Sequence, residues 1–384
     1  MKIGARTFQL PVFIFEEPMK LPIIRCRWIA LLVVLTSACI GCQDTGVTNI
    51  PVESPVTTTN IFAGTNAGVF LSTNDGASWK PVNTGFGIPP TVWALAVDAN
   101  VAGGANIFAG TFHRGVFRST DNGMEWTSVD PGLAITDVRT LVAGPNGAGV
   151  TNLFAGTHQG DIFLSTDCGT SWGTLISGFP GNSISSLALS PDGELLLAGT
   201  SSSYGDGCIF LSANTGETWT DISYGIIQIT YPSYPQVVAL AITPVMSGGT
   251  NLLAGTNVGT FLSTDNGLSW ARPSGLTYVA AKAFATVSSD TGGTSLLAGT
   301  TSGVYLSTNN GTSWKAMNTG LPSVWALTAS ADRSGNTKIL AGTAGGVFMS
   351  TNGGISWTGL STGLTDEFGD RCFVYSLAVS QSTQ

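Results

Sequence analysis

The chain has 384 residues, of which only 10% are charged, while glycine alone accounts for 50. A composition with few charges and many small residues favours short strands joined by tight turns and argues against a mainly helical protein. The formal net charge is −8 at pH 7. We therefore expect no nucleic-acid partner, because phosphate contacts need clustered Lys and Arg.

The first 42 residues differ from the rest and are typical of a signal peptide. Arg25 and Arg27 precede an apolar run over 28–35, which is too short to span a bilayer as a mature helix. Met19 is a better start than the first methionine, because acidic residues lie between the two in what should be a basic leader. Residues 1–42 are therefore predicted to be a removable leader.

The end of this leader resembles a bacterial lipobox. In that motif small residues precede a cysteine that becomes lipidated and N-terminal, which implies lipidation of Cys42, or of Cys39 in its place. A simple cleaved signal is the alternative. Residues 43–59 are rich in Thr, Val and Pro and are predicted to form a flexible tether. We accordingly expect an extracytoplasmic protein of the bacterial cell envelope, or a secreted one, that meets a membrane only through its lipid anchor.

A turn of the form Ser-x-Asx-x-Gly-x-x-Trp, called the box turn below, occurs seven times after residue 60. Each period also holds three strand-like segments: an apolar run A such as Val92–Val97, a segment B ending in Ala-Gly-Thr, and a segment C that leads into the turn. The tryptophan begins a fourth segment, D. A period of roughly 45 residues that contains only strand signals predicts the four-stranded blades of a β-propeller.

The ends of the repeat predict how the ring closes. The first period starts at segment B, Ile61–Thr65, with no segment A before it, whereas the chain finishes on an extra segment A, Val374–Val379. A C-terminal strand in the first blade would remove an exposed sheet edge. The fold class predicted over 60–384 is therefore all-β: a seven-bladed β-propeller of four-stranded antiparallel blades, closed by the C-terminal strand.

The box turns resemble Asp-boxes, the BNR repeats of sialidases, sortilin-type receptors, xyloglucan-active glycosidases and photosystem II assembly factors. The resemblance covers 60–380 and implies the fold, but one propeller fold carries unrelated activities. The third residues of the turns are Asn74, Asp121, Asp167, Asn214, Asp265, Asn309 and Asn352, and the closing residues are Trp79, Trp126, Trp172, Trp219, Trp270, Trp314 and Trp357. Asn accepts the hydrogen bonds that Asp accepts but is no general acid or nucleophile, so we expect a structural role and no catalytic residues here.

No catalytic set is recognisable elsewhere. His113 and His158 are the two histidines, which is too few for a zinc site, and we expect no metal or other cofactor. A sialidase would carry an arginine triad and an Arg-Ile-Pro motif, which is absent, and xyloglucan-active relatives work between two propellers where this chain has one. A two-carboxylate glycosidase stays open, since no pair of acids is distinguished by spacing.

The B-to-C and D-to-A connections should emerge at one end of the propeller, and the loops that outgrow the repeat lie there. Such loops often hold function, although neutral surface drift is the alternative. The binding residues expected on this rim are Tyr204, Asp206, Tyr231, Tyr234, His113, Arg114 and His158. The predicted function is a monomeric, non-enzymatic interaction or assembly scaffold for a protein or glycan partner. The alternatives are a sialidase-like or xyloglucanase-like glycoside hydrolase and a carbohydrate-binding module.

Overall fold

The computed structural model describes residues 57–383 apart from gaps at 102–103, 132, 134–136, 147–150, 178–181, 203–206, 232–234, 246–247, 289–293, 319 and 332–336. The predicted leader, with Cys39 and Cys42, and the tether up to residue 56 lie outside the described residues, as do Tyr204, Asp206 and Tyr234. Across the described ranges, no helix has the length and apolar character needed to cross a membrane.

The described residues form seven antiparallel sheets, the blades of a seven-bladed β-propeller, as predicted. The strands of blades one to three are β1 (Thr57–Thr65), β2 (Gly68–Ser72) and β3 (Lys80–Pro81); β4 (Val92–Val101), β5 (Gly104–Thr111), β6 (Val116–Ser119) and β7 (Thr127–Ser128); β8 (Val138–Pro145), β9 (Thr151–Thr157), β10 (Ile162–Ser165) and β11 (Gly173–Ile176). Those of blades four and five are β12 (Asn182–Leu189), β13 (Leu196–Ser202), β14 (Ile209–Ser212) and β15 (Thr220–Asp221), followed by the helix α1 (Tyr224–Thr230), then β16 (Val237–Pro244), β17 (Thr250–Thr256) and β18 (Gly259–Ser263). Blades six and seven contain β19 (Ala281–Ser288), β20 (Thr294–Thr300), β21 (Gly303–Ser307) and β22 (Lys315–Asn318); β23 (Val324–Ala331), β24 (Thr337–Thr343), β25 (Gly346–Ser350) and β26 (Thr358–Gly359), and the last strand is β27 (Val374–Thr383).

The last strand closes the ring. β27 is the inner strand of blade one and pairs antiparallel with β1, from Thr57 opposite Thr383 to Thr65 opposite Val374. The predicted closure by the C-terminus is therefore confirmed. It gives β1 a partner on its axial side, so the innermost strand of each blade comes from the same position in the repeat.

Blade five and the segment before it depart from the regular pattern. The fourth strand of blade five is reduced to a single bridge between Leu262 and Ala271. The connection after β15, where the sequence analysis expects only a loop, forms the short helix α1. Ile226 of this helix is fully buried in a cluster that contains Trp270 of blade five. Packing of one apolar helix residue against the next blade thus orders part of a connection that the sequence predicts as a loop.

The box turns share one hydrogen-bond pattern. In blade two the Ser119 hydroxyl donates to Asp121 Oδ1 (2.7 Å) and accepts from the Gly123 backbone N–H (2.8 Å). Asp121 Oδ1 also accepts from the Glu125 backbone N–H at 3.0 Å. In blade one Asn74 Oδ1 accepts the equivalent backbone bond, also at 3.0 Å. Gly123 has a φ of 83°, which explains the glycine at that position.

Four box tryptophans, Trp79, Trp126, Trp172 and Trp270, donate from Nε1 to a carbonyl oxygen of the preceding blade, whereas Trp314 and Trp357 donate within their own turns. Trp126 is 2% exposed, and its Nε1 donates to the carbonyl oxygen of Val82 in the preceding blade (2.8 Å). Its backbone N–H donates to the carbonyl oxygen of Thr84 at 2.9 Å. A tryptophan buries about 150–250 Å², so each of these residues contributes a large apolar contact to the joint between two blades.

Candidate functional site

A β-bulge near the start of every inner strand builds the candidate site. In blade two Val92 and Ala94 pair with the consecutive residues Thr111 and Gly110, so Trp93 between them has no pairing partner. The same register shift leaves out one residue in each of the other blades. From blade one to blade seven these bulge residues are Tyr375, Trp93, Arg139, Ser185, Val238, Lys282 and Trp325. A bulge redirects a side chain out of the alternation of the strand, and here it does so seven times.

All seven bulge residues line one cavity of about 560 Å³, which we call the axial funnel. It lies where the inner strands begin, which is the end of the propeller that carries the B-to-C and D-to-A connections. The further lining residues are His158, Ser183, Ser201, Ser202, Gln236 and Val237. The repeat therefore places equivalent residues of seven blades, far apart in sequence, around one opening.

The chemistry of the ring is asymmetric. Trp325, Tyr375 and Trp93 come from three consecutive blades and form what we call the aromatic arc. Lys282 precedes the arc in blade six and Arg139 follows it in blade three. The remaining two positions carry only a serine and a valine. Two cations thus bracket the arc, and small side chains occupy the opposite wall.

Both cations rest on tryptophan rings of the arc. The Lys282 Nζ atom lies 3.3 Å from the Trp325 ring centroid, and the Arg139 Cζ atom lies 4.6 Å from the Trp93 ring centroid. Lys282 also donates to the Ser323 hydroxyl at 3.1 Å. Burial lowers the pKa of the Lys282 ammonium, because the cavity wall removes water from the charge. Cation–π contacts of this kind hold flexible side chains in a defined place.

Arg139 has an anionic partner behind it. Its Nη2 lies 3.3 Å from Asp137 Oδ2, and the Asp137 side chain is 2% exposed. In the part of the chain that the structure describes, Asp137 Oδ1 and Arg139 Nε are buried with no hydrogen-bond partner. No salt bridge among the described residues involves Lys282. The two cations therefore differ, since one shares its charge with a buried carboxylate.

The rings of the arc pack on one another. The ring centroids of Trp93 and Tyr375 are 4.5 Å apart, and Tyr375 stacks on Phe373 at 6.1 Å with an interplanar angle of 16°. Trp93 accordingly contacts Tyr375 as well as Arg139. Burial raises the pKa of the Tyr375 phenol. Trp325 is the most open ring of the arc, with 38% of its surface exposed.

The residues predicted from the sequence occupy different places. His158 lines the axial funnel, whereas His113, Arg114 and Tyr231 do not. Arg114 donates to the carbonyl oxygens of Phe86 (2.7 Å) and of residue 88 (3.1 Å), which ties it to the preceding D-to-A loop.

His113 and Tyr231 are exposed outside the funnel. His113 has a φ of 58°, and its ring lies 3.7 Å from that of Phe112. Tyr231 follows α1 and is 75% exposed. Of the predicted binding residues that are described, only His158 meets the bulge residues.

The bulge residues are absent from the predicted binding residues, because segment A was interpreted only as an apolar run. That interpretation is incomplete at the bulge residue, which is the second residue of the inner strand in six blades and the fourth in β12, as the exposure of Trp325 shows. The signal was present in the repeat. When the seven inner strands are aligned, the bulge position holds two tryptophans, a tyrosine, an arginine and a lysine inside runs of small apolar residues. A bulge is the feature that lets such side chains sit in an inner strand.

A second cavity, of about 540 Å³, lies at the outer part of the same face between blades seven and one. Its lining includes Asp366, Glu367 and Phe368 from the long connection after the last box turn, and Phe368 is 83% exposed. The Asp366 carboxylate accepts from the Asp370 backbone N–H, which shapes this loop. This cavity carries acidic groups, so its charge is opposite to that of the axial funnel.

The described lining of the axial funnel offers cations, hydroxyl groups, one amide and aromatic rings. This set of groups binds anions and hydrogen-bonding chains. Among the described residues, no group of three or more His, Cys, Asp or Glu side chains is placed to hold a metal ion.

The comparisons with known proteins concern the fold. The family described as "DUF6242 beta propeller domain" matches residues 62–291, more than half of the chain. Among solved structures, the chain is similar to "YCF48 bound to D1 peptide", with 18% identity, coverage of 74% of this chain and 85% of that one, and a TM-score of 0.49. It is also similar to the GH74 xyloglucanase from Xanthomonas campestris, with 13% identity, coverage of 78% of this chain, and a TM-score of 0.40. The chain spans 56% of the length of that enzyme. No curated protein sequence matches the chain.

Proposed function

We propose that this chain, which belongs to the DUF6242 β-propeller domain family, is a non-enzymatic binding module that holds a protein partner in the axial funnel. The observation that carries the proposal is the bulge repeated in all seven inner strands, which directs seven side chains into one cavity. The bulge is the same in each blade, and only the side chain that it carries differs. In such a scaffold the strands provide stability, and the side chains at the bulges can vary to recognise a ligand.

The size and rigidity of the funnel support binding. Ligand sites commonly enclose about 300–1,000 Å³, and the funnel, at about 560 Å³, lies in this range. The Lys282 and Arg139 side chains are already held on tryptophan rings. A ligand would therefore pay little conformational entropy to order them.

The rim beside the funnel supplies a second contact area in this proposal. Tyr224 and Tyr231 are 73% and 75% exposed and stand seven residues apart at the two ends of α1, which places them on the same side of that helix. Exposed tyrosines are common at protein interfaces, because they combine a large apolar body with a hydrogen-bonding group. The partner would then cover the funnel and extend towards this helix.

A glycan ligand is the second candidate, and the observation that favours it is the exposed ring of Trp325. Against it stands the Lys282 ammonium, which covers one face of that ring at 3.3 Å. Sugars stack on open aromatic faces, and the other arc rings pack on one another. We therefore rank a protein partner above a glycan.

The proposal includes an extracytoplasmic location with a lipid anchor at Cys42, or at Cys39. Its basis is the leader sequence alone, because these residues lie outside the described part of the chain. Mass spectrometry of the mature protein is the test. A diacylated N-terminal cysteine would support the anchor, and an unmodified N-terminus at another residue would contradict it.

Partner capture by two matched double variants tests the proposed site. The full chain is immobilised and incubated with envelope extract from its source organism, and the bound proteins are identified by mass spectrometry. The test variant combines Lys282→Met with Trp325→Ser. The control combines Lys315→Met with Leu268→Ser, which removes the same kinds of group from exposed positions outside the funnel.

We expect the test variant to lose the partner and the control to keep it, with both melting temperatures unchanged. Equal capture by the two variants would exclude the funnel as the binding site. Loss of capture by both variants would indicate a binding surface that extends outside the funnel.

A further inference from the structure

We infer that the ligand of the axial funnel is an acidic polypeptide segment, whose carboxylates bind Lys282 and Arg139 while its backbone lies over the small residues between them. The inference rests on the proposed function of the funnel and names the class of ligand.

The lining of the funnel is opposite in charge to the chain as a whole. The sequence has 23 acidic residues against 15 lysines and arginines, yet the described lining of the funnel holds two cations and no Asp or Glu. The carboxylate of Asp137, which pairs with Arg139, is buried behind it, so Lys282 is the cation whose charge is not shared. Low-dielectric walls focus the field of such charges into a cleft and attract ligands of opposite sign. Charge complementarity therefore selects an anionic partner.

Both cations keep capacity for a ligand. A guanidinium has five donors, and the hydrogen bond that the structure describes for the Arg139 side chain goes to Asp137. The Lys282 ammonium has three donors, and the Ser323 hydroxyl accepts one of them. A carboxylate that bonds to either group forms a charge-assisted hydrogen bond, which is about twice as strong as a neutral one.

The ring geometry requires a ligand that spans two positions. Lys282 and Arg139 come from blades six and three, and the two bulge residues between them, Val238 and Ser185, are small. These two residues line the same cavity as the two cations. A ligand with a single anionic group reaches one cation, whereas an extended chain with several carboxylates reaches both.

The walls favour a peptide over an acidic sugar. The Arg139 guanidinium lies over the Trp93 ring and the tilted Tyr375 ring is 4.5 Å from it, which limits the room for a sugar ring to stack there. In the wall opposite the arc the Gln236 amide donates to the Ser202 carbonyl oxygen (2.8 Å) and the Ser185 hydroxyl to that of Val237 (2.6 Å), and their side-chain oxygens can accept N–H groups of an extended backbone. The cavity, at about 560 Å³, admits a short segment of a partner and excludes a folded domain.

The test uses a fluorescently labelled hexaglutamate peptide and the full chain, with binding followed by polarisation at low and high salt. Hexaglutamine is the uncharged control probe, and an oligogalacturonate is the acidic-glycan probe. We expect the wild type to bind hexaglutamate and not hexaglutamine, with weaker binding at high salt. Lys282→Met should weaken binding about tenfold or more, because a charge-assisted bond is lost.

Two further variants keep the result interpretable. Lys315→Met removes an exposed lysine from the outer strand of the same blade and should leave affinity unchanged. Lys282→Arg retains the charge and should retain most of the binding, which separates a lost contact from a misfolded funnel. Thermal melts of all variants accompany the titrations.

Failure of hexaglutamate to bind, or equal binding by wild type and Lys282→Met, would overturn the inference. Binding of oligogalacturonate but not of hexaglutamate, with the same dependence on Lys282, would also overturn it and would replace the peptide with an acidic glycan. In both cases the capture experiment decides the proposed function separately, because it measures whether any partner depends on the funnel.

Discussion

Trp79 of the first blade donates a hydrogen bond from Nε1 to the carbonyl oxygen of Leu360 in the seventh blade, at 2.7 Å. The backbone N–H of Trp79 also donates to the carbonyl oxygen of Thr362, at 2.9 Å. The same pair of bonds joins Trp126 to blade one. The joint between the last and first blades is therefore built like an interior joint, and β27 completes it.

Removal of the closing strand should open the ring. A chain that ends after Phe373 loses the buried residues Val374 and Ala378 and exposes the axial edge of β1. We expect it to lose its cooperative thermal melt and to aggregate. A chain that ends after Gln381 loses only two pairs at the end of the ladder and is the control. A normal melt for the longer deletion would contradict the role assigned to β27.

The box turn should tolerate Asp121→Asn and not Trp126→Ala. Asn74 accepts the equivalent backbone bond in blade one, so the amide can replace the carboxylate with a change within about 0.5 kcal/mol. Trp126 is 2% exposed, and its removal should lower the free energy of unfolding by about 3–5 kcal/mol. Urea unfolding measures both values. Equal losses would show that the carboxylate itself is required.

Two box-turn aspartates should make the stability depend on acid pH. The Ser171 hydroxyl lowers the pKa of Asp167 below its ordinary 3.8, and the Ser269 hydroxyl does the same for Asp265. A lowered folded-state pKa adds stability that is present above pH 3.8 and is lost as the pH falls through the folded-state value. The side chains are largely solvent-accessible, so we expect less than about 1 kcal/mol from each.

The double variant Asp167→Asn, Asp265→Asn removes this dependence. Its free energy of unfolding should therefore fall less steeply than that of the wild type as the pH is lowered below 3.8. Urea unfolding over a pH series compares the two slopes. Parallel slopes would mean that the serine hydroxyls do not stabilise the charged carboxylates.

The Cys372 thiol should be unreactive in the closed ring. The residue is fully buried two positions before β27, and burial raises the pKa of its thiol to about 11. Cys168 and Cys208 are half-buried and should alkylate sooner. Timed iodoacetamide labelling with mass spectrometry measures the order. Early labelling of Cys372 in the native protein would indicate that the closure opens readily.

The repeat predicts the fold because each box turn and each Ala-Gly-Thr strand end recurs in register seven times. The first strand without an inner partner and the surplus strand at the C-terminus are also readable from the order of segments. The helix α1 cannot be predicted in this way, because its segment is a long connection in the sequence and the burial of Ile226 beside Trp270 of the next blade depends on the folded ring.

The axial funnel is harder to predict for a geometric reason. In a regular strand Trp93 would alternate with its neighbours between two faces, and only the bulge removes it from the ladder. Lys282 and Trp325 are 43 positions apart in sequence and meet because the ring brings equivalent residues of adjacent blades together. A comparison of the seven inner strands by column would have identified the positions, although not the cavity that they surround.

The sevenfold bulge also has an evolutionary consequence. A bulge residue has no partner in the ladder, so its replacement leaves the hydrogen bonds of the sheet in place. Val238 and Ser185 occupy the same backbone position as Arg139 and Lys282, which shows that one site accepts apolar, polar and charged side chains alike. Point mutations at seven positions could therefore change the specificity of the funnel with little cost to folding, and the same positions are suitable for randomisation in a binder library.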